Sequence, residues 1–188
     1  MKEQVYLLEQ FDDIKILRYD VPAFEGLSLR EKLFVYYLSR AALAGRDILW
    51  DQNNKYNLRV RAALESILRA YQGNRETEEF QAFLVYAKKV FFANGVHHHY
   101  SMEKFTPSFT PEYFKSLLRE VGAQQLYEEV ERVIFDPEYM AKRVVLDEGK
   151  DLVQASANHY YEGVTQEEVE KFYGEKKKEN ALLSWGLN

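Results

Sequence analysis

Apolar residues recur every third or fourth position through most of this chain, and the runs are closed by glycine. Val60, Leu64, Ile67 and Tyr71 lead to Gly73; Phe80, Leu84, Ala87 and Phe91 lead to Asn94-Gly95; Phe114, Leu117, Leu118 and Val121 lead to Gly122. That period lays an apolar stripe along a helix, and a glycine after the last turn ends it. Only 9 glycines and 4 prolines are present, too few for the many turns of a β-sandwich. The expected fold class is therefore all-α, an irregular multi-helix bundle.

Start signals agree with the stripes. Ser28 and Glu31 have the spacing of a capping box, and Leu29, Leu33, Tyr36, Tyr37 and Ala41 follow on one face of a helix that runs towards Trp50, with Gly45 a weak point. Thr110-Pro111 places a cap before a proline at the first helical position, and Asp136-Pro137 starts a short helical turn in the same way. Leu126, Tyr127, Val130, Val133 and Ile134 form another stripe. Ala155, Ser156 and Ala157, within Leu152–Tyr161, suggest close approach of two helices. Thr165 with Glu168 is a second capping box, Val164 with Val169 fits a hydrophobic staple, and Phe172 and Tyr173 supply that helix's buried face. Val5–Phe11 is compatible with a helix, and Ile14 to Pro22 reads as extended. With no repeat and no low-complexity linker, residues 1–188 read as a single helical domain.

Composition excludes several roles. A net charge of -5 makes nucleic acid a poor partner. The absence of cysteine removes disulfides, thiol nucleophiles and thiolate zinc sites together. No run approaches the roughly 20 apolar residues that span a bilayer, so no membrane partner is expected. Met1–Val5 lacks the apolar core of a secretion signal, although a leader removed earlier is compatible with it. Cytoplasm and periplasm both remain open. Lys176-Lys177-Lys178, beside Glu175 and Glu179, reads as a frayed, charged helix end.

Three of the four histidines are adjacent, in Asn94-Gly95-Val96-His97-His98-His99-Tyr100-Ser101, at the start of the longest loop, 96–109. On an extended segment His97 and His99 point to one side and His98 to the other. A His-x-His pair can chelate a transition metal, but further ligands are needed, and the nearest are Glu103 and distant His159. The alternative is that the imidazoles bond loop backbone and neighbouring carboxylates, and that reading is preferred: no metal ligand and no catalytic residue is assigned. No His-Glu-x-x-His, Gly-x-Ser-x-Gly or phosphate-binding loop occurs. Glu128-Glu129-Glu131 and Glu167-Glu168-Glu170 read as solvated helix faces. Arg46 and Asp47, with Trp50, Asp51, Asn53 and Asn54, form a secondary polar cluster that reads as helix termination with local ion pairing.

The stretch Asn94–Ser101 with Lys104-Phe105 resembles a hallmark of the dipeptidyl peptidase III family, especially its Bacteroidetes-type members. Tyr161-Glu162-Gly163-Val164-Thr165-Gln166, followed by Glu168–Tyr173, resembles a second. Leu17-Arg18-Tyr19 with Val21-Pro22, and Gly45–Ile48 with Tyr56-Asn57, support these two, and the resemblance covers nearly all of the chain. It implies a two-lobed zinc metallopeptidase, a hydrolase that removes N-terminal dipeptides from peptides. Its zinc is held in one lobe by a His-Glu-x-x-Gly-His helix and a downstream Glu. This chain resembles the N-terminal part of the other lobe. The implied cofactor of the complete enzyme is zinc, with none in this chain, and the implied partners are a peptide substrate and the C-terminal portion of the same protein. The chain alone is expected to be inactive, with Asn94, His97, His98, His99, Tyr100 and Lys104 as substrate-cleft candidates. Its end at Gly186-Leu187-Asn188, past the charged helix, favours a truncated chain. The alternative is a freestanding helical module of this descent that binds a peptide or protein.

Overall fold

The computed structural model describes residues 6–179, and these are predominantly helical, as the apolar spacing predicts. The readings that rest on Met1–Val5 and Gly186–Asn188 lie outside the described residues. No described helix is long and apolar enough to cross a membrane.

The first departure is at the N-terminus. Leu7–Phe11 is a strand (β1), not a helix, and pairs antiparallel with Ile14–Leu17 (β2). Asp12 at the turn adopts a φ of 50°, the left-handed conformation that a two-residue hairpin loop demands and that Asp tolerates. An isolated ribbon is marginal in water. This one is fastened by burial of Phe11 and Ile14 and by ion pairs of Glu9 with Lys88 and Asp12 with Lys89.

A 3-10 turn, Pro22–Gly26, leads to helix α1 (Leu29–Ala44). Its capping box is formed: the Ser28 N–H donates to Glu31 Oε2 at 2.8 Å, and the Glu31 N–H donates to Ser28 Oγ at 3.4 Å. Gly45 ends the helix and α2 (Arg46–Asn53) follows at once. None of the α1 residues is buried.

The core lies elsewhere. Helix α3 (Asn57–Ala70) packs against α2, α4 (Glu78–Ala93), α5 (Pro111–Glu120) and α6 (Gln125–Phe135). It contributes Val60, Leu64 and Ile67, which meet Phe114, Leu117, Leu118, Val130, Val133 and Ile134 in one buried cluster. Aromatic rings fill the middle: Phe109 sits 5.8 Å from Phe83, 5.9 Å from Phe114 and 5.8 Å from Phe135, centroid to centroid. The contacts with Phe83 and Phe135 are edge-to-face and that with Phe114 is tilted; such arrangements add to burial because ring edges are positive and faces negative.

Several local expectations need correction. In α4 the buried stripe is Phe80, Phe83, Ala87 and Val90, joined by Tyr86 and Ala93, while Leu84 and Phe91 are only half-buried. The stripe is wider than one residue per turn, so the phase was ambiguous. Asp136-Pro137 opens a turn rather than a helix: Asp136 Oδ1 accepts from the Glu138 and Tyr139 N–H groups at 3.0 and 3.2 Å. Only Leu152–Ala155 is helical (α7) in the small-residue segment. There Ser156 and Ala157 let backbones approach, not helices: the Val145 N–H donates to Ser156 Oγ at 2.9 Å and the Ala157 N–H to the Lys142 carbonyl at 3.0 Å. The last helix, α8 (Gln166–Glu179), has its Thr165–Glu168 box, and Val169 is buried, but Phe172 is exposed. The lysines of 176–178 continue the helix.

Candidate functional site

The histidine stretch is not an open loop. The Phe105 N–H donates to the Val96 carbonyl at 2.8 Å and the His98 N–H to the Glu103 carbonyl at 2.8 Å, with His97 and Lys104 paired between them. Residues 96–105 thus form a tight hairpin whose turn is His99–Met102. A third segment adds to it: Lys104 N–H bonds the Ala141 carbonyl at 3.0 Å, and Arg143 N–H bonds the Met102 carbonyl at 2.9 Å. A fourth follows, since the Asn158 N–H reaches the Arg143 carbonyl at 3.1 Å. These runs are too short and irregular to show as alternation in the sequence.

Two buried asparagines hold this arrangement to the helices. Asn57 donates Nδ2 to the Trp50 carbonyl at 3.0 Å and accepts the Val96 N–H on Oδ1 at 3.1 Å. Asn54 donates to the Ala157 carbonyl at 3.1 Å and accepts the Tyr56 N–H at 2.9 Å. Both are fully buried and bonded on both ends of the amide, so their desolvation is offset. The sequence signalled neither role. In the sequence Asn54 reads as part of a helix termination, and only depth of burial reveals a clamp.

Asn94 caps α4 in the left-handed conformation. Its Oδ1 accepts from Arg46 Nε at 2.9 Å, and its carbonyl from Asn53 Nδ2 at 3.2 Å. The polar cluster at Arg46 and Asp47 therefore starts a helix instead of ending one, and its partners are remote: Asp47 pairs with Arg61 at 2.5 Å. Arg143, which nothing in the sequence singled out, joins the turn to α2. Its guanidinium reaches Met102 Sδ at 2.9 Å, Asn53 Oδ1 at 3.3 Å and the His99 carbonyl at 3.4 Å.

The three imidazoles have different environments. His97 is buried and its Nε2 lies 2.8 Å from the Met140 carbonyl. A carbonyl only accepts, so Nε2 carries the proton and the buried Nδ1 is left with its lone pair and no hydrogen-bond partner. Burial is the main reason that its pKa falls to about 4, and the charges of Lys104 and Arg143 act in the same direction. His98 and His99 are half-buried and stack on each other with ring centroids 4.5 Å apart, instead of pointing to opposite sides. His98 Nδ1 accepts the Tyr100 and Ser101 N–H groups at 3.2 and 3.1 Å, and the His99 ring packs against Phe92. The His99 pKa is lowered by burial and by His98. Tyr100 is 83% exposed. Lys104 turns inward and donates to the Asp136 and Tyr139 carbonyls, and burial lowers its pKa.

This donor set does not fit a zinc ion. His97 and His99 do not converge, Glu103 is paired with Lys142 at 3.1 Å, and His159 Nδ1 faces Asp51 at 3.4 Å. Among the described residues no three His, Asp or Glu side chains come together as a ligand group.

Met140 joins this hairpin to the second quoted stretch. Its carbonyl engages His97, its sulfur accepts from Asn54 at 3.1 Å, and its side chain lines a cavity of about 250 Å³ with His159, Tyr161, Glu162 and Val164. Lys55 closes one side through a 2.7 Å ion pair with Glu162. Met140 also holds a φ of 54°, as Met102 holds 65°. Such strain in non-glycine residues costs about 1–3 kcal/mol and gathers at functional positions.

The comparisons with known proteins point one way. Over 142 residues, 69% of this chain, the sequence is 32% identical to dipeptidyl peptidase 3 of Homo sapiens and of Rattus norvegicus, and 31% identical to that of Mus musculus. The chain spans only 19% of the length of these relatives. No family model matches the chain.

Proposed function

We propose that this chain is a non-catalytic lobe segment of a dipeptidyl peptidase 3-like zinc metallopeptidase, and that the histidine hairpin forms part of the wall facing the substrate. The observation that carries the reading is the similarity to dipeptidyl peptidase 3 over 69% of the chain. The Bacteroidetes-type assignment rests on the Asn94–Ser101 and Tyr161–Gln166 stretches alone. In the complete enzyme, zinc in the other lobe would polarise the scissile carbonyl of a peptide. Among the described residues no ligand set for that ion comes together, so no chemical step is assigned to them. Their role is shape and hydrogen bonding. His98, His99 and Tyr100 form a contiguous aromatic rim at the hairpin turn, with ring centroids 4.4–6.4 Å apart. Neutral imidazoles can donate to and accept from a peptide backbone. His97, Lys104 and Asn94 hold that rim from beneath.

The test compares the 188-residue chain with the product of its native locus, using a chromogenic dipeptidyl substrate and metal analysis. The chain alone is expected to release no dipeptide, with or without zinc. The native product is expected to be active and to bind zinc. Replacing His98, His99 and Tyr100 together by Ala in that product should raise KM or lower turnover with zinc content unchanged. Chelator-sensitive activity in the isolated chain would overturn the non-catalytic reading. An inactive native product that nonetheless captures peptides through the rim would favour the freestanding binding module.

A further inference from the structure

Helix α1 is apolar on opposite sides, and nothing described covers either. From Leu33 to Ala44 its one charged residue is Arg40. Successive residues step about 100° around a helix, so Leu33, Tyr36 and Leu43 lie on one side, which Arg40 shares, and Phe34, Leu38 and Ala42 lie about half a turn away on a side with no charge from Leu33 onwards. Phe34, Leu38, Tyr37 and Leu43 are 64%, 53%, 65% and 60% exposed. The element α1 touches most is α2, its immediate successor. Its serine hydroxyl is satisfied within the helix, because Ser39 Oγ donates to the Val35 carbonyl at 2.9 Å.

A helix that is apolar all round belongs inside a fold, whereas a surface helix shows one apolar face.

We infer that α1 is an interior helix, enclosed on both sides by further helical polypeptide of the same dipeptidyl peptidase 3-like protein. The inference rests on the proposed function for the identity of that polypeptide. The relatives supply the room for it, since this chain spans 19% of their length. A second copy of the chain docked about a two-fold axis would cover one side and leave the other wet. A bilayer is a poor occupant as well. The 16 residues of α1 reach about 24 Å, short of the roughly 30 Å hydrocarbon core.

The experiment is hydrogen exchange by mass spectrometry on the 188-residue chain and on the native-locus product, with the mass of each in solution measured by light scattering. In the isolated chain, peptides covering 29–44 should exchange far faster than those of α3. In the native product they should gain protection by about a hundredfold or more, an opening free energy nearer that of a core element. Two variant pairs, F34K/L38K and L33K/Y36K, address the two sides separately. In the isolated chain both pairs should leave the unfolding midpoint of the core unchanged, because those residues are exposed and stand outside the buried cluster. In the native product each pair should abolish the gained protection. A native product ending at Asn188 with α1 unprotected would overturn the inference, as would self-association that protects α1, or indifference of the native product to either pair. An active native product with α1 unprotected defeats this inference alone. An inactive one with α1 protected defeats only the peptidase reading.

Discussion

Gly95 and Asn57 are so close that no side chain fits between them: a β-carbon on Gly95 would lie 2.3 Å from Asn57 Nδ2 and 2.8 Å from its Cγ. The backbone of Gly95 also has a φ of 153°, which other residues rarely adopt. This contact lets the buried amide of Asn57 reach the Val96 N–H, and so sets where the histidine hairpin leaves α4.

Gly95→Ala should therefore destabilise the protein by about 2–4 kcal/mol, combining backbone strain with disturbance of a buried hydrogen bond. Urea unfolding measures this. A loss under about 0.5 kcal/mol, the range of an ordinary surface change, would show that the approach is not tight.

Asn57→Ala should cost about 2 kcal/mol or more, because the buried Val96 N–H loses its acceptor. The two substitutions should also couple. With the amide gone, the alanine at 95 meets less resistance, so the double variant should be more stable than the sum of the singles by about 1 kcal/mol. Additive losses would separate the two residues energetically.

His97 should make stability fall in mild acid. Its folded pKa of about 4 lies below the ordinary 6.5, so the unfolded chain takes up the proton first. The contribution is complete above about pH 6.5 and is lost as pH falls towards 4, at up to about 1.4 kcal/mol per pH unit. The groups around it are the Met140 carbonyl, Lys104, Arg143 and Glu103; the carbonyl and Glu103 favour the charged ring, but burial and the two cations outweigh them. Carboxylates titrate in the same range, so the readout is the difference between the wild type and His97→Gln, which should be flatter between pH 6.5 and 4. Parallel profiles would show that the imidazole is not held neutral by burial.

Thr165→Ala should loosen α8 by about 1 kcal/mol, the usual value of an N-cap. Thr165 Oγ1 accepts the Glu168 N–H at 3.2 Å, and the Glu168 carboxylate accepts the Thr165 N–H at 2.8 Å. Faster exchange confined to the first turn of α8 is the expected signature, and an unchanged exchange rate there would remove the cap.

What was legible in the sequence was local. The Ser28, Thr110 and Thr165 caps and the stops at Asn94-Gly95 and Gly122 depend on residues within a few positions, and each lies where its spacing places it. The stripe of α3 was legible for the same reason. The histidine hairpin was not, because its partners Ala141, Arg143 and Asn158 are dozens of positions away and pair through backbone, which has no residue signature. The clamping roles of Asn54, Asn57 and Arg143 were not legible because their side chains act at long range. The Leu29–Ala41 face showed the reverse difficulty. Its periodicity is real, yet the opposite face is also apolar, so one stripe did not indicate which side would be covered.

The four backbone segments of the hairpin assembly also impose an order on synthesis. Helices α3 to α6 are closed by contacts within the first 135 residues, so a nascent chain can form them early. The rim of His98, His99 and Tyr100 cannot be fixed then, because Met140 and Arg143 must emerge to hold the hairpin and Ala157 and Asn158 must arrive to hold them. On the ribosome the helical scaffold precedes the hairpin it carries, and a chain released before residue 158 would keep its core cluster and yet lack its anchored rim.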